Sequence, residues 1–417
     1  MELKRFPILE TPGKERIVFK ILAIGYSVRH IVCSGSRAGY EMYAADAFGD
    51  VDTRRSAKKY FPLNPLQLQA DVRLLEGAIN EMDGIIIGSG FESADFGFLT
   101  AEDRRKILGN APEKTKEVSN KAWLASRLDD LGIAHPLTYT GREIAEGEGE
   151  KKAEHLHYPV VAKPAYGGGG TANFFCNNEK ELIRCAKQLP GFLFQDYING
   201  KHASVSLISS KREAISVSVN EQLIGLDSLY APGPFVYCGN VTPFVTKFSE
   251  QVCEIAEEIA MKLGLVGSNG IDFVITDDGP FVIEVNPRFQ GTLDTVELST
   301  GLNLNLVDAS MKAVRADLLV ERVMTKKYAA KAIAFAKQEG VVMGNLDLDR
   351  AGIVDIPEIG RIIKPGEPIA TGIGIGNSRE SAFAEAMRNV ERIRAGVITN
   401  HRLHRSNKKR EGGRSSF

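Results

Sequence analysis

The chain has 417 residues, 43% hydrophobic and 25% charged, with a formal net charge of −1. That length predicts about two to four domains with ample apolar material for real cores, and the near-neutral balance predicts no nucleic-acid partner. Five scattered cysteines (Cys33, Cys176, Cys185, Cys238, Cys253), odd in number and without CxxC spacing, argue against a disulfide framework or a structural zinc site.

Met1-Glu2-Leu3-Lys4-Arg5 leads into no apolar stretch, so no secretory signal is expected. No apolar run approaches the roughly 20 residues that cross a bilayer, so no membrane partner is expected either. The expectation is a reduced, cytoplasmic protein.

In chain order, residues 17–24 form an apolar run ending at Gly25, followed by a short helix over 28–33. A second strand covers 41–45, then come the turn-rich Phe48-Gly49-Asp50 and a polar helix. A third strand, 84–88, ends in Ser89-Gly90. Strands alternating with helices predict a parallel α/β sheet. Gly25 and Gly88-Ser89-Gly90 fall at the carboxyl ends of strands, where such sheets bind ligands. No GxGxxG follows the first strand, so a dinucleotide site is unsupported.

From about Leu108 the character changes. Residues 119–132 carry Trp123, Leu124, Leu128 and Leu131 at helical spacing and stop at Gly132, with Trp123 read as core. Residues 141–152 are charged, helical or loop, and His155 and His157 read as surface residues. Residues 158–164 form a strand running into a glycine cluster. Tyr237-Cys238-Gly239-Asn240 with Pro243 reads as a loop, plain or acceptor-binding, and nothing marks Cys238 as a nucleophile. Residues 250–263 form an amphipathic helix capped by Gly264. A third region begins near Lys327, and its last helix spans 378–394 before Gly396. Residues 401–417 carry six Lys/Arg against the single acid Glu411, with almost nothing apolar, and are expected to be a disordered tail.

The segment from Gly270 to Gln290 carries the strongest chemical signal. Two β-like runs, 271–275 and 281–285, flank the turn sequence Asp277-Asp278-Gly279-Pro280. Pairing them about Asp278 puts Asp272 opposite Glu284. Asn286 shares that face because side chains alternate with period two, and Arg288, two residues past Asn286, is expected on it as well. Ile271, Phe273 and Ile275 would then face the other side with Phe281, Ile283 and Val285. Two carboxylates and a carboxamide on one face form a hard-oxygen cluster suited to Mg²⁺, and facing like charges destabilise a sheet unless a cation offsets them. A second signal is Lys163 followed by Tyr166-Gly167-Gly168-Gly169-Gly170-Thr171. Successive glycines let backbone N–H groups approach an anion, and the lysine adds positive charge. No Gly-Lys-Ser/Thr closes the run, so it is not a P-loop.

Over about residues 110–310 this series resembles the ATP-grasp superfamily, with biotin carboxylase and the smaller carboxylate–amine ligases as the nearest shapes. Ser119-Asn120-Lys121 looks like the segment carrying a first ATP lysine, and Val160-Val161-Ala162-Lys163-Pro164 like the strand with a second, ahead of a mobile glycine lid (Gly167, Gly168, Gly169, Gly170). Phe194-Gln195-Asp196-Tyr197-Ile198-Asn199-Gly200 looks like the hinge between two grasping lobes, where Gln195 and the backbone of Asp196 and Ile198 would hold adenine, with Tyr197 beside them. His202 falls near the ribose position. Asp272, Glu284 and Asn286 match the Mg²⁺ ligands, and Asn286-Pro287-Arg288 is similar to the family's catalytic Asn-Pro-Arg, so Asn286 and Arg288 take catalytic roles.

The resemblance implies an α/β chain (α+β in the grasp lobes). A Rossmann-like domain would span 1–110, the ATP-grasp fold 111–325 with its hinge near 195–200, a small α+β subdomain 326–400 and a tail 401–417. It implies ATP and Mg²⁺ (Mn²⁺ as a substitute) and a ligase that activates a carboxylate as an acyl phosphate and joins it to an amine. The partners are small-molecule carboxylate and amine substrates, with a homodimer left open. Biotin carboxylases continue past the arginine with Ile-Gln-Val-Glu-His. Here the run is Arg288-Phe289-Gln290-Gly291-Thr292-Leu293-Asp294, which disfavours carboxylation. A carboxylase or carbamoyl-transferring enzyme and a non-catalytic nucleotide sensor remain the alternatives.

Overall fold

The computed structural model describes residues 18–146, 149–317, 324–344 and 352–399. The basic tail expected over 401–417 lies outside them. Among the described residues no helix is long and apolar enough to cross a membrane.

Short apolar strands separated by helices give the first sheet its parallel order. The elements are β1 (Lys20–Ile24), α1 (Arg29–Arg37), β2 (Glu41–Asp46), α2 (Val51–Ser56), β3 (Lys59–Pro62) and β4 (Gly84–Ile87). The strands lie in the order β3-β2-β1-β4 and every pair is parallel. The strand β3 has no counterpart in the sequence pattern. It is four residues long and ends on Pro62, which an edge position tolerates because no ladder donor is needed there. The helix α1 starts at Arg29 and continues to Arg37, past the expected 28–33.

A second, antiparallel sheet follows α3 (Lys121–Leu131), whose Asn120 cap accepts hydrogen bonds from the N–H groups of Ala122 and Trp123. Its elements are β5 (Thr138–Thr140), β6 (Val160–Pro164), β7 (Phe174–Cys176), α4 (Glu179–Gln188) and β8 (Phe192–Asp196), with strand order β5-β8-β6-β7. The charged stretch before β6 forms two short helices, Gly141–Ala145 and Gly149–Glu154. Val160, Ala162, Leu182 and Phe194 close a small core of this lobe's own.

The remaining elements are β9 (Lys201–Ser209), β10 (Ala214–Ile224), β11 (Tyr237–Thr242), α5 (Ser249–Lys262), β12 (Gly267–Ile275), β13 (Pro280–Asn286), α6 (Leu293–Ser299), α7 (Leu306–Ala316), β14 (Tyr328–Phe335), β15 (Gly340–Val342), β16 (Ile353–Val354), β17 (Ile362–Ile363), β18 (Pro368–Gly376), α8 (Arg379–Ala395) and β19 (Val397–Thr399). Eight of the strands form one antiparallel sheet in the order β13-β12-β9-β10-β11-β14-β18-β16. The acidic hairpin therefore lies at one edge and the late strands at the other, with β14 paired directly to β11.

Three details depart from the sequence expectation. Residues 237–242 are not a loop but the strand β11, held between β10 and β14. Gly239, Asn240 and Pro243 suggest a turn locally. In place, Gly239 has φ +131° and Asn240 is buried, donating to the hydroxyls of Thr242 and Thr295. In the hairpin, Asp272 does face Glu284, but the register slips between Asp272 and Phe273, so Phe273 faces Val282. Ile283 is the extra residue of a bulge. Within the run 281–285 the buried residues are thus Val282 and Val285, in place of the expected Phe281, Ile283 and Val285. Arg288, finally, does not share the strand face, because β13 ends at Asn286. Pro287 offers no N–H to extend the ladder, and the Arg288 N–H turns back to the Asn286 carbonyl at 2.8 Å.

A β-carbon at Gly239 would lie 1.9 Å from the Lys331 carbonyl oxygen. Gly239→Ala combines that clash with a backbone region almost restricted to glycine. It should cost at least about 1–3 kcal/mol, read as a lower urea midpoint at unchanged slope. An unaltered midpoint would show that β11 and β14 are not so closely apposed.

Candidate active site

The hairpin brings its acids together on one face. The Asp272 carboxylate accepts hydrogen bonds from Gln222 (3.0 Å), Gln290 (3.2 Å) and Asn286 (3.1 Å). Burial first, and the facing Glu284 second, push Asp272 up to about 7. A carboxylate so strained in its charged form beside a second carboxylate fits a hard cation. Among the described residues no three of His, Cys, Asp and Glu converge as a metal cluster. Two carboxylates and a carboxamide suit Mg²⁺, which usually keeps waters and takes substrate phosphates to complete its shell.

Two lysines stand beside this face. Lys163, near the end of β6, is 4% exposed, and burial together with neighbouring Lys121 lowers it to about 7. Lys121 Nζ lies 3.3 Å from Glu284 Oε1 and donates to the Gly167 carbonyl at 2.7 Å. The glycine run is thereby tied down over the site. Gly167, Gly169 and Gly170 all have positive φ, and the Tyr237 N–H donates to the Gly169 carbonyl at 3.1 Å. Such backbone suits glycine, which visits this region without a steric penalty.

The segment between the lobes is engaged within the protein. Gln195 Nε2 donates to Thr138 Oγ1 at 2.6 Å, and the Asp196 N–H donates to the Leu137 carbonyl. The Asp196 carboxylate accepts from the backbone N–H of His157, whose imidazole is exposed. Tyr197 packs edge-on against Phe175, and Ile198 is half-buried. His202 pairs with Val274, two residues along β12 from Asp272, and burial lowers its pKa. The lysines, glycine run, hairpin acids and Arg288 thus meet around one space, while Gln195 to Ile198 form the connecting segment and, among the described residues, share no side-chain hydrogen bond or ion pair with that group.

Other participants escaped the sequence reading. Arg288 Nε pairs with Glu92 Oε1 at 2.7 Å, and Glu92 follows the Gly88-Ser89-Gly90 turn of the first sheet. Burial alone would raise Glu92, but Arg288 holds it below its ordinary value. An acid just past a strand's carboxyl end was the available signal. Beyond Arg288 opens a cavity of about 250 Å³, lined by residues that include Ser27, His30, Asp50, Ser89, Tyr237 and Lys331. Under its wall, the buried Arg29 forks onto both Asp294 oxygens (2.7 and 2.6 Å) and reaches Asp355 at 2.8 Å. Lys331 adds a contact to Asp294 at 3.4 Å. Burial would raise Asp294, but Arg29 and Lys331 outweigh it and hold that carboxyl far below its ordinary range.

A family model for the ATP-grasp domain matches residues 118–292, a span that holds both lysines, the glycine run, the hairpin acids and Arg288. The chain is 30% identical over 367 residues to the uncharacterised protein MJ0776 of Methanocaldococcus jannaschii, covering 85% of this chain and 88% of that one. The chain belongs to the ATP-grasp family. The carbamoyl phosphate synthase large chain of Pyrococcus furiosus is 28% identical over 242 residues, 55% of this ATP-grasp chain and 22% of that much longer one. In fold, the chain is similar to the biotin carboxylase domain of Hydrogenobacter thermophilus 2-oxoglutarate carboxylase, with TM-score 0.68 and 18% identity over 88% of this chain and 87% of that one. That structure is a dimer in complex with MgADP, ADP and bicarbonate.

The ties on the ATP-grasp glycine run give it a measurable response. MgATP should increase hydrogen-exchange protection over Tyr166 to Thr171, since phosphate oxygens would add acceptors for its N–H groups. Protection that does not change on adding MgATP would remove the run from the nucleotide site.

Proposed function

We propose that this ATP-grasp chain is an ATP-dependent ligase that activates a carboxylate as an acyl phosphate and couples it to an amine. The observation that carries this reading is the meeting of Lys121, Lys163, the glycine run, the Asp272–Glu284–Asn286 face and Arg288 around one space that opens onto a separate cavity. Nucleotide phosphates on one side and an organic substrate on the other would have Arg288 between them. The relatives support the same class: one is the large chain of a carbamoyl phosphate synthase, and the Hydrogenobacter structure holds a magnesium nucleotide.

In this reading Asp272, Glu284 and Asn286 would hold Mg²⁺, which when bound neutralises charge on the nucleotide phosphates. Lys163 and Lys121 supply positive charge to the same phosphates, and the glycine N–H groups fold over them. A substrate carboxylate oxygen attacks the γ-phosphorus, and ADP leaves. The amine then attacks the acyl carbon and expels phosphate. Arg288 stabilises the charge that moves in both steps: Glu92 holds its Nε and the Phe289 carbonyl accepts from Nη1 at 3.1 Å, which leaves Nη2 on the side of the glycine run. Gln195, Asp196, Tyr197, Ile198 and His202 are proposed as the adenosine side of the site. Domain limits at 110, 325 and 400, and a homodimer, belong to the same proposal.

Carboxylation in the manner of biotin carboxylase is not favoured. Gln290 is engaged with Asp272, and Asp294, the first acid after Arg288, is locked by Arg29 and Lys331. No free carboxylate base follows Arg288 in this stretch.

Glu284→Ala should abolish ATP turnover while leaving the circular-dichroism spectrum intact, and wild-type turnover in that variant would remove the hairpin from the metal site. Arg288→Ala should lower kcat by roughly 10²-fold or more with little change in ATP affinity, the pattern of a lost transition-state donor. Arg288→Lys should rescue poorly, because a point charge does not reproduce the planar fork. Hydroxylamine with the cognate carboxylate should trap a hydroxamate in wild type and almost none in Arg288→Ala. Loss of ATP binding with full turnover at saturation would make Arg288 a binding residue only.

A further inference from the structure

The glycine run closes onto a part of the chain outside its own lobe. It joins β6 to β7, yet the groups that meet its second half belong to the connection between β10 and β11. The Tyr237 N–H donates to the Gly169 carbonyl at 3.1 Å. A β-carbon at Gly170, whose φ is +72°, would lie 1.9 Å from the Phe235 carbonyl oxygen, an approach that suits glycine alone. The Phe235 ring stands 4.7 Å from that of Phe175, which in turn meets Tyr197 at 5.2 Å. One N–H, one carbonyl and one ring thus receive the run.

Tyr237 has this N–H to give because of the local register. Leu223 pairs with Gly239 and Ile224 with Tyr237, so Cys238 is the extra residue of a bulge at the end of the ladder. Bulges re-aim the groups beside them and often sit next to active sites. Here the N–H goes to the run while the side chain lines the cavity beyond Arg288. The Tyr237 hydroxyl donates to Asn240 Oδ1 at 2.9 Å, and a β-carbon at Gly291, another lining residue, would lie 3.4 Å from it. Burial first, and Asp272 second, push the phenol up, so it stays a neutral hydroxyl. The connection is braced from behind: Arg394 donates to the Ser228 carbonyl at 2.7 Å and stacks over Tyr230 at 4.1 Å. The cavity is therefore the side from which a bound molecule reaches this seat.

We propose that Tyr237 is a positioning residue that couples the cavity to the glycine run: its N–H and the Phe235 carbonyl form the seat on which the run closes, and its ring, packed from the cavity, holds that seat in place. This rests on the ligase reading, which puts nucleotide phosphates under the run and an organic substrate in the cavity. A molecule against the ring keeps the N–H aimed at Gly169, and the closed run keeps water from the γ-phosphate. ATP is thereby enclosed together with its substrate rather than ahead of it.

The test is hydrogen exchange of the full chain with and without MgATP. Protection of the Tyr237 N–H should rise together with that of Tyr166 to Thr171. Tyr237→Ala keeps the N–H and removes the ring. It should lower the MgATP protection of the run by about tenfold, although no residue of the run has changed, and Tyr237→Phe should restore most of it. Gly170→Ala should lose a similar amount through its clash with Phe235, and because Gly170 lies in a loop it reads the seat even if Tyr237→Ala fails to fold. Gly291→Ala works the other way. Its methyl packs on the Tyr237 ring from the cavity and should raise the protection about twofold or more, a gain that damage to the fold does not produce. The proposal is overturned if Tyr237→Ala or Gly170→Ala keeps wild-type protection, or if Gly291→Ala brings no gain. Hydroxamate formation over a panel of amino, aromatic and dicarboxylic acids reads the ligase reaction separately. Protection that follows the variants as expected, without any hydroxamate, sinks the ligase reading and keeps the seat. Hydroxamate formation with protection indifferent to all three alanine variants does the reverse.

Discussion

Arg29 is the charge on which the assembly of this chain turns. Its guanidinium is buried on the first helix of the N-terminal sheet, yet its partners are Asp294 on α6 and Asp355 after β16. With Lys331 of β14 also on Asp294, one ion cluster ties the N-terminal sheet, the helix that follows Arg288 and the late strands into a single wall. Burying such charges costs several kcal/mol apiece, and the planar fork on Asp294 is the geometry that recovers it. Removing one partner would leave the others uncompensated, so the cluster ties the three parts to one arrangement.

That arrangement decides what Arg288 can do. The turn at Pro287 carries the arginine out of the hairpin's plane, and Glu92 from the N-terminal sheet catches it. Arg288 therefore borders both the glycine run and the cavity. Charges that hold the architecture are paired and shifted toward their ionised forms, as at Asp294. Asp272 and Asp50 are instead shifted toward their neutral forms, by burial first and by neighbouring acids second. That division separates scaffold from site on electrostatic grounds.

Much of the site was legible because its logic is local. Asp272, Glu284 and Asn286 follow from the period of two and a turn sequence, and the structure pairs Asp272 with Glu284. The glycine run announces its backbone requirement directly, and the family match spans these same residues. The parallel order of the first sheet also follows from strands alternating with helices. Local patterning failed where a residue's setting is made by distant chain. Gly239 and Asn240 look like a turn until β14 arrives beside them, and the bulge at Ile283 breaks an alternation that was otherwise correct.

The sequence by itself determined the acidic hairpin, the glycine run, the kinship and several of the strands and helices, since each is carried by residues close together in the chain or in a fixed order along it. Only the tertiary structure decided the eight-stranded sheet that joins the hairpin to β14 and β18, the Glu92–Arg288 pair, and the cavity beside Arg288. Those depend on contacts between residues up to about 300 positions apart, such as Asp52 with Ile356. Neither propensity nor periodicity encodes such a contact, because its energy exists only once both surfaces have left water together.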